Sequence, residues 1–365
     1  MRFLGFEGEW EERKLGVVSE LINERISSYL ISLSDYVSTE NLRQNFEGIV
    51  PASSIPSNVN VTAYKTNDIL FSNIRPYLKK IWKANLNGGC SSDVFVFRNR
   101  ESCLSQFLYY SIANDSFINY VMTGAKGIKM PRGDKQQILE YPLYIPSKTE
   151  QQKIASLLSL IDERIQKSIK IIQRLETSMQ GLREKLFNRK IKFKDENGKD
   201  FPNWEVKPLG KILTIGNGKD YKHLGRGDIP VFGTGGLMTY VDSFLYNGET
   251  ICIGRKGTID KPMYYQGKIW TVDTLFYTHS FLSCVPKFIF YIFQSINWIE
   301  YNEASGVPSL SKSTIEKIPL LIPSLAEQTL IANFLSFVDE KIEAEKKILE
   351  QYKNQKKYLL RNMFV

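Results

Sequence analysis

Cations interleaved with amide and aromatic side chains mark the places where this sequence could do chemistry on a polyanion. Residues 65–83 hold Lys65, Asn73, Arg75, Tyr77, Lys79, Lys80 and Lys83 against one acid, Asp68. Lysine and arginine neutralise phosphates, while amide and planar groups hydrogen-bond to base edges, so this run suits contact with nucleic acid. A second candidate is Lys126-Gly127-Ile128-Lys129-Met130-Pro131-Arg132, where Gly127 would let the backbone come close to a phosphate. A third, Gly254-Arg255-Lys256-Gly257-Thr258, follows a strand-like apolar run and pairs two glycines around two cations. Lys219, Tyr221, Lys222, His223 and Arg226 form a looser fourth patch. Each competes with the plainer reading of a solvated turn or a hinge.

Catalytic chemistry fares worse. Phe232-Gly233-Thr234-Gly235-Gly236 echoes a methyltransferase cofactor loop, yet no Asn-Pro-Pro-aromatic segment exists to hold a flipped adenine. A turn is the better reading. Gly198-Lys199, Gly218-Lys219 and Gly267-Lys268 lack the upstream glycine and following hydroxyl of a phosphate-binding loop. The two histidines, His223 and His279, have no third ligand at metal spacing. Glu343-x-Glu345-Lys346 could mimic a nuclease motif but lies on a helical stretch, where a solvated face is expected.

Around these sites the chain must supply a scaffold. Its 365 residues exceed one ordinary core, and a hydrophobic share of 42 % is enough for two. No run approaches the ~20 apolar residues that span a bilayer. The opening residues, Met1 to Glu7, meet acid before any signal-like run can form, so a cytoplasmic protein is expected. The cysteines Cys90, Cys103, Cys252 and Cys284 form no C-x-x-C pair and read as buried, unpaired thiols. Net charge is +9 but uneven: residues 1–145 carry 16 basic and 15 acidic groups, residues 189–321 carry 17 and 13. Any contact with nucleic acid in the first part must therefore come from local patches.

The architecture follows from an internal repeat. At a shift of 177 residues, Ile145-Pro146-Ser147 matches Ile322-Pro323-Ser324, and Glu150-Gln151 matches Glu327-Gln328. The match continues through Leu158-Ser159/Leu335-Ser336, Asp162-Glu163/Asp339-Glu340 and Leu182/Leu359. It extends back to Pro131/Pro308 and Pro142/Pro319. A weaker match pairs Trp10-Glu11 and Leu15-Gly16 with Trp204-Glu205 and Leu209-Gly210 at a shift of 194.

Ser147-x-x-Glu150 and Ser324-x-x-Glu327 read as capping boxes that start two long helices. Alternating steps of four and three place Ile154, Leu158, Ile161, Ile165, Ile172, Leu175, Met179, Leu182 and Leu186 on one stripe of the first helix. Ile331, Leu335, Val338, Ile342, Leu349, Tyr352, Leu359 and Met363 do the same in the second. Both seams, about six heptads long, are interrupted at the same place, by Ser168 and Glu345. Pairing of the helices with each other is expected; packing of each on its own domain is the alternative. Residues 190–199 read as a charged join, Asp93 to Phe97 and Thr250 to Ile253 as strands, and residues 105–114 and 286–298 as helical. Pro56, Pro76, Pro230 and Pro262 blur the other boundaries.

With these motifs in order, the sequence resembles the specificity subunit family of Type I restriction-modification systems, HsdS. The entry motifs Trp10-Glu11…Leu15-Gly16 and Trp204-Glu205…Leu209-Gly210 carry the resemblance. So does the exit motif from Gly306-Val307-Pro308-Ser309-Leu310-Ser311-Lys312 through Ile318-Pro319-Leu320 to Ile322-Pro323-Ser324. The first exit motif departs, with Lys129-Met130-Pro131-Arg132-Gly133-Asp134 in place of a small-polar run.

The resemblance implies an α+β fold: two mixed α/β target recognition domains separated by two long helices, paired as an antiparallel coiled coil with a pseudo-two-fold repeat. Domains would run 1–145 and 189–321, helices 146–188 and 322–365. It implies a non-catalytic DNA-binding protein reading a bipartite target, with the helices as a ruler between the halves. Two methyltransferase subunits (HsdM-like) and, through them, restriction-translocase subunits (HsdR-like) would be its partners. S-adenosylmethionine, ATP and Mg would sit on those partners, and no membrane would be involved. Neighbouring readings are the recognition subunit of a system with a fused methyltransferase-nuclease partner, a self-sufficient methyltransferase and a scaffold without DNA function. The missing catalytic motifs disfavour the second, and the dissimilar globular halves disfavour the third.

Overall fold

The computed structural model describes residues 2–364, which form two compact units. One comprises Met1–Ile169 with Lys347–Val365, the other Lys170–Lys346. The division cuts both long helices, Lys148–Phe187 and Leu325–Met363, near their middles, beside the polar seam positions Ser168 and Glu345. Each unit thus holds the first half of one helix and the second half of the other.

Within each unit the two half-helices run antiparallel. In the first, Asp162 pairs with Lys356 at 2.6 Å and Arg164 donates to the Tyr352 hydroxyl at 3.3 Å. In the second, Lys346 meets Glu176 at 3.5 Å, and the charge of Asp339 acts on Arg183. The seam residues Ile154, Leu158, Ile161 and Ile165 are buried with Leu359 and Met363, but equally with Phe107, Leu108 and Tyr110 of the globular part. Met179 and Leu186 share the second core with Ile331, Leu335, Ile342, Phe288 and Tyr291. Leu182 and Val338 pack at that core's edge, Leu349 at the edge of the first, and Ile172 is buried. Helix pairing and packing on a domain are therefore one arrangement, because an apolar stripe wider than a two-helix seam covers both neighbours. Lys356, four residues after Tyr352 on the same stripe of the second helix, keeps its ammonium on Asp162 and is tolerated there for that reason.

The capping boxes form by half. Ser147 accepts the Glu150 N–H at 3.3 Å and Ser324 the Glu327 N–H at 3.4 Å. The carboxylates do not reach back to the cap. Glu150 takes two guanidinium donors of Arg2, each at 2.8 Å, and Glu327 accepts from Trp204 Nε1 at 3.0 Å. Both carboxylates are buried, and the entry segment brings a donor that a solvent-facing cap would not need.

Entry and exit motifs recur because they are partners. Glu11–Lys14 pairs antiparallel with Pro142–Ile145, and Glu205–Pro208 with Pro319–Ile322, in the same register: Glu11 faces Ile145 and Glu205 faces Ile322. The Leu-Gly that follows lies against the short helix before the exit strand. A Cβ on Gly16 would meet Leu139 at 3.2 Å and one on Gly210 would meet Glu316 at 3.0 Å.

The globular parts then differ. The first has two four-stranded sheets, one of Ser19–Leu21, Val94–Asn99, Ile69–Ser72 and Ile81–Lys83, the other of Arg25–Ser27, Asn60–Tyr64, Gly88–Cys90 and Tyr36–Val37. The second has one six-stranded sheet, in the order Thr214–Asn217, Leu275–His279, Tyr246–Gly254, Met263–Thr271, Ile229–Gly233, Gly236–Val241. Pro230 lies inside its strand, whose parallel neighbour pairs only with Val231 and Phe232. The expected helix 105–114 ends at Ile112, where Asn114 caps a separate helix, Asp115–Thr123, by accepting the Phe117 N–H. Likewise Pro286–Phe293 stops where Trp298 Nε1 donates to the Phe293 carbonyl.

All four cysteines are free and buried. Burial pushes the thiols of Cys90, Cys103 and Cys252 up to about 12 and that of Cys284 up to about 11. Among the described residues no helix is long and apolar enough to cross a membrane.

Candidate nucleic-acid interface

Two of the cationic segments meet in the first unit. After the buried strand Ile69–Ser72 the chain turns sharply: Arg75 and Lys79 both take left-handed backbone, with φ of 50° and 56°, around a single turn of 3-10 helix at Pro76–Leu78. This turn docks on residues 126–132. The Arg75 N–H donates to the Pro131 carbonyl at 2.8 Å, and Ile74 bridges Arg132. The 126–132 loop is closed at its base by reciprocal bonds between Lys126 and Arg132, both 2.9 Å.

Within this pair of loops the side chains fall into two groups. Arg75, Tyr77 and Lys129 are exposed. Others are engaged: Lys79 with Asp115 at 2.7 Å, Lys126 with Asp134 at 3.1 Å, Arg132 with Asp93 at 3.0 Å. Lys80 donates to the Thr39 carbonyl, and its pKa is lowered by partial burial, with Arg75 adding repulsion. Lys83 is lowered by burial as well, and Lys65 lies 3.9 Å from Glu24. Asn73 is half-buried with its Oδ1 unpartnered, its backbone tied to Asp93 and Gly133.

The second unit repeats the docking with other residues. Gly257 N–H donates to the Pro308 carbonyl at 2.9 Å, and Lys256 bridges Ser309. Pro308 and Ser309 are the repeat partners of Pro131 and Arg132, so Gly257 stands where Arg75 stands. Gly257 has φ +89°, and no room exists for a Cβ on Gly254, which would sit 2.0 Å from the Thr258 carbonyl. The exit loop is closed by the same bond: Glu303 N–H to the Ser309 carbonyl at 3.0 Å, as Lys126 to Arg132. The first exit motif therefore keeps this closing bond with different side chains, while the return bond from Arg132 N–H to the Lys126 carbonyl is replaced in the second unit by Ser309 N–H to Asn302 Oδ1 at 2.9 Å.

Arg255 and Lys256 are exposed, with Arg255 lying 5.8 Å from the Phe276 ring centroid. The looser patch comes near them through residues 271–275: Lys219 N–H bonds to Thr271 and Arg255 N–H to Thr274, both at 2.8 Å. Tyr221 is half-buried, Lys222 exposed, and His223 lies edge-on to Trp270. Phe232 to Gly236 is a hairpin connection, with Gly233 facing Gly236.

Sequence reading missed what anchors each globular part to its long helix. Gln151 is wholly buried and makes three bonds: it accepts the Leu104 N–H and donates to the Ser102 and Pro146 carbonyls. Gln328 does the same with Val285, Ser283 and Pro323. Tyr110 donates to Asp162 at 2.8 Å and Tyr291 to Asp339 at 2.7 Å. The glutamines and aspartates had been visible as repeat matches. The tyrosines were not, because they recur at a different shift.

The family model for the Type I restriction modification DNA specificity domain matches residues 7–177 and 202–354. The specificity subunit of Type I restriction enzyme MjaVIII from Methanocaldococcus jannaschii is 24 % identical over 389 aligned residues, covering 93 % of this chain and 86 % of that protein. The MjaIX specificity subunit of the same organism is 31 % identical over 135 residues, 34 % of this chain and 31 % of that protein. A putative type I specificity subunit from Haemophilus influenzae is 27 % identical over 139 residues, 36 % of each chain. The chain thus spans about a third of the length of these last two relatives. Among solved structures, the S subunit of the Type I system from M. genitalium superposes with a TM-score of 0.69 at 19 % identity, covering 100 % of this chain and 99 % of that one. A repeated entry-exit ribbon, paired long helices and a model match over both halves lead to one conclusion: this chain belongs to the Type I restriction-modification specificity subunit family.

Proposed function

We propose that the chain is the non-catalytic DNA-reading subunit of a Type I restriction-modification complex, each unit recognising one half of a bipartite target. The observation that carries this reading is the equivalent docking of a cationic turn on the exit loop in both units: Arg75 on Pro131, Gly257 beside Arg255 and Lys256 on Pro308. One backbone geometry bearing two different sets of cations suits two half-sites of different sequence. In this reading Asn73, Arg75, Tyr77, Lys79, Lys80, Lys126 and Lys129 serve one half-site. Lys219, Tyr221, Lys222, Arg255 and Lys256 serve the other.

The helix pair would dock two methyltransferase subunits, which would bring restriction-translocase subunits and carry S-adenosylmethionine, ATP and Mg. The complex would act in the cytoplasm. A helix of 40 residues is ~60 Å long, which suits a ruler that sets the gap between half-sites. The test is a genome-wide map of N6-methyladenine in cells with and without this chain. A bipartite motif that disappears with the chain is expected; an unchanged map refutes the reading. In the same assay, four residues inserted after Ile172 should leave the bases of both halves unchanged and widen their gap by about one or two pairs.

A further inference from the structure

We propose that exposed apolar side chains on the two exit loops, Met130 with Ile128 in the first unit and Val307 in the second, read thymine C5-methyl groups. This rests on the DNA-reading function proposed above. Met130 and Val307 occupy the same position of the repeat, each directly before the proline whose carbonyl holds the cationic turn. Both are open to solvent, Met130 at 48 % and Val307 at 66 %, while Ile128 is fully exposed. The described chain thus leaves about half of Met130 and more of Val307 and Ile128 open.

The loops that carry them are not slack. Each is closed at its base by the equivalent backbone bond, Lys126 to Arg132 and Glu303 to Ser309, and held by a second bond from the docked turn. Gly127, with φ +100°, lets the first loop fold back so that its tip projects. An apolar tip on a fixed loop is placed to meet something specific. Exposed cations stand beside it: Arg75 and Lys129 in the first unit, Arg255 and Lys256 in the second. Such a rim favours a polyanion over an apolar protein surface. On a major-groove edge the thymine methyl is the apolar group that distinguishes one base from another. The two loops also differ usefully: two apolar side chains in the first unit against one in the second.

The test uses the full chain in complex with its co-expressed methyltransferase subunits, so that the assembly is intact. The target duplex is taken from the methylation map, and each thymine in turn is replaced by uracil, which lacks only the methyl. At least one uracil in each half-site should weaken wild-type binding by about five- to tenfold. Joint Ile128→Ala and Met130→Ala replacement should abolish that sensitivity in one half-site only, and Val307→Ala in the other only, with unchanged thermal melting as the control for folding. Wild-type indifference to every uracil overturns the inference, as do variants that remain sensitive, or a half-site without thymine for its unit. Variants that bind every duplex as wild type does but no longer hold the methyltransferase subunits overturn it in favour of a protein contact. A complex with no sequence preference at all refutes the parent reading instead, so the two failures are distinct.

Discussion

The turn at residues 72–80 and the turn at residues 254–258 do the same structural job with opposite chemistry at one position. Where Gly257 takes left-handed backbone at φ +89°, the first unit places Arg75 at φ 50°. A non-glycine residue there costs about 1–2 kcal/mol, which is a reason to ask what its side chain is kept for. In the second unit the cations have moved to Arg255 and Lys256, flanking the glycine. The exit loops show a similar exchange: Lys126, Lys129 and Arg132 in one, Glu303, Gly306 and Ser309 in the other. The docking bond and one closing bond are shared and the side chains are not. A common scaffold with separately variable surfaces lets each unit change its contacts without disturbing the helices.

If that comparison holds, disrupting the shared scaffold should hurt both units alike and hurt most. Gln151→Ala and Gln328→Ala should each destabilise by about 2–3 kcal/mol, since each strands a part-buried N–H and two carbonyls, one of them buried. Denaturant melts of the full chain check this, and a large inequality between the two would break the equivalence. Arg75→Ala and Arg255→Ala come next. Each should weaken cognate binding by about 1–3 kcal/mol if its guanidinium contacts a base, and relax preference in one half-site only. Binding titrations on duplexes altered in a single half-site decide it.

Smaller effects follow from the backbone. Gly257→Ala should destabilise by about 1 kcal/mol, because alanine must adopt a conformation that glycine takes freely. Arg75→Gly should leave melting unchanged or raise it by up to about 1 kcal/mol of stability while still weakening DNA binding. A drop in stability on Arg75→Gly would show that the guanidinium serves the fold. The smallest difference is expected for Tyr110→Phe against Tyr291→Phe. Each loses a hydrogen bond to a helix carboxylate and a longer contact with a helix serine, Ser159 at 3.3 Å and Ser336 at 3.1 Å, about 1 kcal/mol in all. Asp162 retains Lys356 as its ion partner, so the first loss should be slightly the less costly, that carboxylate keeping a charged donor when the hydroxyl is gone.

The sequence by itself determined the repeat, the two long helices, the seam with its polar break at Ser168 and Glu345, and the buried thiols. These are visible because periodicity and duplication are properties of spacing alone, and because a capping serine or an apolar stripe acts within a few residues. It also marked the cationic segments, though as separate patches. Tertiary structure alone decided that residues 72–77 and 126–132 form one surface, and that Gly257 answers to Arg75 in the other unit. Backbone bonds such as Arg75 to Pro131 join residues 56 apart and leave no mark on side-chain identity. Structure alone also decided that Glu150 and Glu327 serve the entry segment instead of the helix cap. A motif names which donors are near in sequence, whereas a buried carboxylate takes the donors that folding brings to it.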